Sequence, residues 1–283
     1  MKSAIKNSRW FLISLMISFL LPLLISFPVY ADFGPKPSIT IIVKNPPADE
    51  YYLDLLINEN KSDNSQIEDK EKLDPIKYAL LENYNVEGWQ PALVHGTSIP
   101  LFGHLTGIRQ GQDMEHTFSY FGTPDNFKII IVTPDNQVVV SPEISRKSFQ
   151  LTLSYDYASG TIRQPSLVVA YLLQFLSTLI PTLIIEGLLL LLFRFSLKRS
   201  FWPFLIVNLA TQILLTAILG TALITQGVFA AILLSLPVEL VIIVAETIAF
   251  SFLLKEHRKG RRIGFAITAN IVSYIASLIV MLI

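Results

Sequence analysis

The chain has 283 residues, of which 52% are hydrophobic and only 16% charged, with a mean hydropathy of +0.52, too apolar for an ordinary soluble domain. Lys plus Arg equals Asp plus Glu at 22 each, so net charge offers nothing to nucleic acid or an acidic partner. Cysteine is absent, which excludes a disulfide framework, a thiolate metal site and a cysteine nucleophile.

The first element reads as a secretory signal. Lys2, Lys6 and Arg9 precede an apolar stretch from Trp10 to Phe27, and Val29-Tyr30-Ala31 fits a small-x-small cleavage site. Residues 1–31 are therefore expected to be a signal peptide cut before Asp32. The apolar stretch is nearly long enough to span a bilayer, so an uncleaved anchor is the alternative. Both readings place the next segment outside the cytoplasm.

Residues 32–165 form a polar stretch the size of one domain, expected to be extracytoplasmic and β-rich. Ser38 to Lys44 alternates as a strand and is stopped by Asn45-Pro46-Pro47. Tyr51 to Ile57 is a second strand, with Tyr51, Leu53 and Leu55 on one face and Tyr52, Asp54 and Leu56 on the other. Asn58 to Lys72 reads as a polar, mobile loop, and Asn60-Lys61-Ser62 within it matches a glycosylation sequon. Asp74-Pro75 opens a short helix to about Asn83, Asp as N-cap and Pro in the first turn, with Ile76, Leu80 and Leu81 on its apolar face. Val86 to Gly111 carries no assignable pattern. Phe127 to Thr133 and Gln137 to Val140 flank the turn Pro134-Asp135-Asn136, and Phe149, Leu151 and Leu153 mark a further half-buried strand. Short strands with such turns point to a sandwich-like or mixed sheet.

Four apolar segments follow, at 166–193, 202–223, 228–254 and 263–283, each able to span. The fold class expected is α+β, a β-rich extracytoplasmic domain followed by a four-helix transmembrane bundle. Arg194, Lys198 and Arg199 lie between the first two segments, and Lys255, Arg258, Lys259, Arg261 and Arg262 between the last two, whereas Ile224-Thr225-Gln226-Gly227 is uncharged. The positive-inside rule makes 194–201 and 255–262 cytoplasmic loops of a bacterial plasma-membrane protein, in agreement with the signal.

Glu186, Asn208, Glu246 and Asn270 fall at one depth on four different segments, about 9–12 Å from their cytoplasmic ends at 1.5 Å of rise per residue. Glu239 and Gln212 lie one tier above. Each residue belongs to a polar stripe: Gln174, Thr178, Thr182 and Glu186; Asn208, Thr211 and Gln212; Ser235, Glu239 and Glu246; Asn270, Ser273 and Ser277 beside Tyr274. Polar stripes are costly against lipid, so they should converge inside a bundle. Pro181 and Pro237 free backbone carbonyls nearby.

Two carboxylates in hydrocarbon cannot both stay ionised cheaply. They can carry a proton, or hold a hard cation such as Na⁺, Mg²⁺ or Ca²⁺ with the amide oxygens of Asn208 and Asn270. The plainer reading is that they hydrogen-bond between helices and fix geometry. Catalysis is the least supported: no Walker loop, dinucleotide fingerprint, HExxH or GxSxG is present, so no cofactor is expected and the metal question stays open. His95, His104 and His116 match no metal spacing and read as ordinary loop or surface residues. The aromatics Tyr51, Tyr52, Trp89, Phe118, Tyr120, Phe121 and Phe127 read as core rather than a groove. The basic stretch Lys255 to Arg262 could attract anionic lipid heads, but its topogenic role already accounts for it. Four helices make a small transporter, so a homo-oligomer or larger membrane complex is expected around it. Its partners are then the lipid bilayer and a proton or small cation. The rival is a non-catalytic envelope anchor or sensor whose external domain binds a ligand.

Ala31-Asp32-Phe33-Gly34-Pro35-Lys36-Pro37, followed by Lys44-Asn45-Pro46-Pro47 and Glu50-Tyr51-Tyr52-Leu53-Asp54-Leu55-Leu56, resembles the mature start of uncharacterised multi-pass membrane proteins of Gram-positive bacteria. The pattern of Glu186, Asn208, Glu239, Glu246 and Asn270 is similar to the same group. The resemblance covers most of the chain. It implies a signal peptide, an extracytoplasmic domain and four transmembrane helices, and brings no activity.

Overall fold

A computed structural model describes residues 35–47, 50–58, 65–67 and 69–282; all but the first of them fall in one compact unit, Lys36–Ile283. The expected signal peptide, the sequon, and residues 59–64 and 68 of the polar loop lie outside the described residues.

The N-terminal half is built of β-sheet. One sheet has the order β10-β9-β1-β5-β4, the strands being β1 (Ser38–Lys44), β4 (Ile108–Gln110), β5 (Asp113–Ser119), β9 (Gln150–Asp156) and β10 (Thr161–Arg163). The second runs β3-β2-β6-β7, with β2 (Tyr52–Ile57), β3 (Gln90–Pro91), β6 (Asn126–Val132) and β7 (Val138–Val140); β8 (Ile144–Ser145) also pairs with β6. β1 pairs antiparallel with β5 and parallel with β9, placing Ile39 opposite Leu151, Ile41 opposite Leu153 and Val43 opposite Tyr155. All six are buried in a core shared with Leu53, Leu55, Ile129 and Ile131 of the second sheet.

Every residue of β2 is buried, on both faces. One face meets the opposite sheet; over the other lie two short helices, α1 (Pro75–Glu82) against β6 and α2 (Ala92–His95) against β2. Asp74 caps α1 as expected, its carboxylate accepting from Ile76 N and Lys77 N at 2.9 and 3.1 Å. The expected apolar face of α1 is corrected, however. Ile76 is exposed and Lys77 is buried beside Leu81. The lysine stem covers apolar surface while its ammonium donates to Glu50 O at 3.0 Å and lies over the Tyr52 ring. The unassigned stretch after Val86 supplies β3, α2 and β4.

The C-terminal half is helical: α3 (Leu167–Leu192), α4 (Leu197–Gln226), α5 (Val228–Leu253) and α6 (Lys259–Leu282). Among the described residues three helices, α3, α4 and α5, are long and apolar enough to cross a membrane, with 26, 30 and 26 residues. At 1.5 Å per residue the shortest of these reaches about 39 Å, against roughly 30 Å of hydrocarbon. α3 packs on α4 and α6, and α5 packs on the same two, so the four form a closed ring. α4 contains one π-helical turn, Thr216–Gly220.

The basic stretches expected as loops, 194–201 and 255–262, are shorter loops flanked by helix. The Glu256 carboxylate accepts from Ser196 N at 2.7 Å and Ser200 Oγ at 3.2 Å, satisfying donors that a helix start leaves open. α4 therefore begins at Leu197, and Lys259, Arg261 and Arg262 open α6. The two loops also meet where His257 Nε2 donates to Arg194 O at 2.8 Å.

Candidate polar seam between the helices

The ring of helices encloses side chains that hydrocarbon would reject. Glu186, Asn208, Glu246 and Asn270 are 1, 0, 2 and 2% exposed, and Gln212 is also buried. Glu239 is half-buried. The stripes read from the sequence face one another, because residues three, four and seven apart share a helix face.

Glu246 is the most fully bonded. Thr211 Oγ1 on α4 lies 2.5 Å from its Oε1, and Asn270 Nδ2 on α6 donates to its Oε2 at 2.9 Å. One α5 side chain thus ties two neighbouring helices. Glu186 on α3 meets Ser273 Oγ on α6 at 3.0 Å through Oε1, and the Asn208 amide stands beside it. Its Oε2 has no hydrogen-bond partner. Gln212 Nε2 donates to Thr182 Oγ1 at 3.4 Å. Asn270 Nδ2 also donates to Ala266 O at 3.0 Å, which fixes the amide with its nitrogen, not its oxygen, toward Glu246.

Two small cavities run along the seam. The deeper, of about 20 Å³, is lined by Glu186, Gln212, Glu239, Glu246, Asn270 and Ser273 among others. The one nearer the β-sheet half, of about 30 Å³, is lined by Gln174, Thr216, Ser235 and Glu239 among others. Each has room for about one or two waters. Thr178, Leu215, Glu239, Tyr274 and Ser277 line both, so Glu239 stands at the junction. Buried Gln174 Oε1, Glu186 Oε2, Asn208 Oδ1, Gln212 Oε1 and Thr216 Oγ1 lack hydrogen-bond partners. Four of these five are pure acceptors.

The ends of the seam differ. Toward the β-sheet half, Tyr171 OH and Thr221 Oγ1 meet at 3.1 Å, and Gly220, in the π-helical turn, lies against Gln174 and the Tyr171 ring. At the far end Phe195, Phe204, Phe250 and Phe265 pack with Leu190, Val207 and Leu254. Phe250 and Phe265 lie 5.5 Å apart and Phe204 stacks on Phe250 at 6.5 Å. Sequence reasoning missed both ends. Phenylalanines in an apolar helix give no periodic signal of their own, and the π-helical turn has none.

In the β-sheet half, the reading of His116 as a loop or surface residue is corrected. It lies on β5, 1% exposed, with Nε2 3.0 Å from Tyr51 OH. Burial pushes its imidazole down to about 4. Among the described residues no three His, Asp or Glu side chains converge as a metal-binding group. Tyr51, Tyr52, Trp89, Phe118 and Phe127 are core, while Phe121 is exposed.

No protein-family model, curated protein or solved structure matches this chain.

Proposed function

We propose that the chain is an integral protein of a bacterial plasma membrane whose four helices span the bilayer and whose polar seam handles protons or a small cation. Support for membrane residence comes from the three long apolar helices and from their outer faces, where Val168, Leu173, Ile184, Leu188, Val241, Val244 and Phe252 are exposed. A soluble monomer rarely leaves such contiguous apolar surface. The basic residues flanking the far-end loops argue for a cytoplasmic far end and an extracytoplasmic β-sheet half. The likeness to multi-pass proteins of Gram-positive bacteria points the same way, and a homo-oligomer or larger complex would complete so small a unit.

The observation that carries the seam's role is Glu239. It lines both cavities and receives no hydrogen bond from the described residues, whereas a purely structural glutamate would be bonded as Glu246 is. The test is ion movement in vesicles containing the purified full chain, read with an internal pH dye and with ²²Na⁺ uptake. Glu239→Gln should abolish the response without unfolding the protein. A wild type that moves neither protons nor cations defeats the reading.

A second reading, an envelope anchor, is favoured by the Glu246 bonds to α4 and α6. It predicts that Glu239→Gln is silent while deletion of the β-sheet half is not.

A further inference from the structure

Around the two deepest glutamates each hydroxyl hydrogen has more acceptors within reach than it can serve. Thr211 has one hydroxyl hydrogen, yet its Oγ1 lies 3.0 Å from Val207 O, 3.1 Å from Asn208 O and 2.5 Å from Glu246 Oε1. Ser273 also has one, and its Oγ lies 3.1 Å from Asn270 O and 3.0 Å from Glu186 Oε1. Hydroxyls inside helices bond back to carbonyls three or four residues earlier. If Thr211 and Ser273 do so, neither has a hydrogen left for its glutamate. Each contact is then completed only when the carboxyl itself carries hydrogen and donates to the hydroxyl oxygen.

The charge count agrees. Among the described residues three carboxyls, Glu186, Glu239 and Glu246, line the seam with Tyr274 the sole other titratable group, and no Lys, Arg or His lines either cavity. Asn270 aims one amide hydrogen at Glu246, which repels a cation there, and the cavities hold too little volume for an ion with its own hydration shell. The Asn270 orientation and the small volume favour hydrogen over metal.

We infer that the ligand of the seam is the proton, shared between Glu186 and Ser273 and between Glu246 and Thr211, with Glu239 as the group that exchanges it toward the β-sheet end. This rests on the proposed role of the seam. A proton reaching Glu239 forms its O–H bond. On transfer that bond breaks, the proton crosses the deeper cavity, and a new O–H forms on whichever of Glu186 and Glu246 has given up its own proton, the negative charge passing from that carboxylate to Glu239. The phenylalanine cluster blocks the far end, so exchange in this conformation runs from the β-sheet side.

Infrared spectroscopy of the full chain in phosphatidylcholine vesicles tests this through the C=O stretch of protonated carboxyl groups. At neutral pH the wild type should show such bands, unchanged by added Na⁺, K⁺ or Ca²⁺. Glu186→Gln and Glu246→Gln should each remove one. Because those variants can fail to fold, Ser273→Ala and Thr211→Ala provide the second arm: each should shift one band without removing it. Glu239→Gln should retain both bands and slow their hydrogen–deuterium exchange at least tenfold. Absence of the bands in folded wild type, or their loss on adding a cation, overturns the proton assignment, and ion movement in the same vesicles would then leave the proposed function standing. Unchanged exchange in Glu239→Gln overturns its exchanging role. Bands present in vesicles that move no ion of any kind defeat the proposed function instead.

Discussion

Asn270 meets Glu246 nitrogen first: its amide donates at 2.9 Å to the carboxyl and at 3.0 Å to Ala266 O one turn below. Both amide hydrogens are thereby used, and α6 is fixed to α5. Asn270→Ala should cost roughly 0.6–2 kcal/mol, the range of interhelical hydrogen bonds in membranes. Asn270→Asp should cost more, since it replaces a donor with an acceptor against the same carboxyl. Unfolding of the two variants by SDS titration, followed by far-UV circular dichroism, ranks them. Equal stability would mean that this contact contributes nothing.

The pH dependence of the β-sheet half is set by two buried groups acting in opposite directions. Asp54 on β2 accepts from Leu55, Leu93 and Val94 N–H groups, and burial outweighs those bonds to push it from 3.8 to about 7. Its contribution is complete below about pH 4 and is lost as pH rises through 7. His116, pushed down from 6.5 to about 4, contributes fully above 6.5 and loses it as pH falls through 4. The two slopes oppose one another between pH 4 and 6.5. Denaturant unfolding of the full chain, followed by Trp89 fluorescence in a background carrying Trp10→Phe and Trp202→Phe, should therefore vary little there. His116→Gln should expose a fall in stability with rising pH, and Asp54→Asn a rise. Parallel slopes in the two variants would refute the assignment.

Much of this architecture was legible because period and burial agree. Ser38 to Lys44 alternates and forms β1 over those residues, and the four polar stripes fold onto one axis because their spacing keeps them on one helical face. The Lys77 and Ile76 exchange was not legible, since it depends on where Glu50 O and the Tyr52 ring fall in the tertiary structure. The stretch after Val86 was silent for a similar reason. α2 is only four residues long, too short for a periodic signal, and its first N–H groups are satisfied by Asp54, 39 and 40 positions earlier. The early start of α4 rests on Glu256, 60 residues ahead. Contacts across such separations leave no mark on local pattern.

Glu256 offers a direct test of how the far-end loops are joined. Its carboxylate caps the start of α4, where the helix dipole also favours negative charge. Glu256→Ala should cost about 0.5–2 kcal/mol, the usual effect of losing a cap, and Glu256→Gln somewhat less, because one acceptor oxygen survives. Amide hydrogen exchange at Ser196 and across the first turn of α4 should quicken in the alanine variant. Unchanged exchange would show that the two loops hold their positions without it.

The β-sheet half touches the helical half through Phe149. Its N–H donates to Ile224 O at 2.6 Å, and its ring lies so close to Gly227 that a Cβ there would come within 2.8 Å of the ring. Gly227 also holds φ 88° and ψ 175°, a region essentially reserved for glycine, where another residue costs on the order of 1–3 kcal/mol. Gly227→Ala therefore combines backbone strain with a clash against Phe149. Phe149→Ala removes the ring and relieves only the clash. The double variant should thus be less destabilised than the sum of the two single ones, by about 0.5 kcal/mol or more for residues in contact. Thermal unfolding in detergent, monitored separately at Trp89 in the background carrying Trp10→Phe and Trp202→Phe and by helical ellipticity, measures this. If the strain at Gly227 dominates, the single and double glycine variants will melt alike; if the ring contact transmits stability between the halves, the Trp89 and helical transitions will separate in Phe149→Ala while coinciding in the wild type.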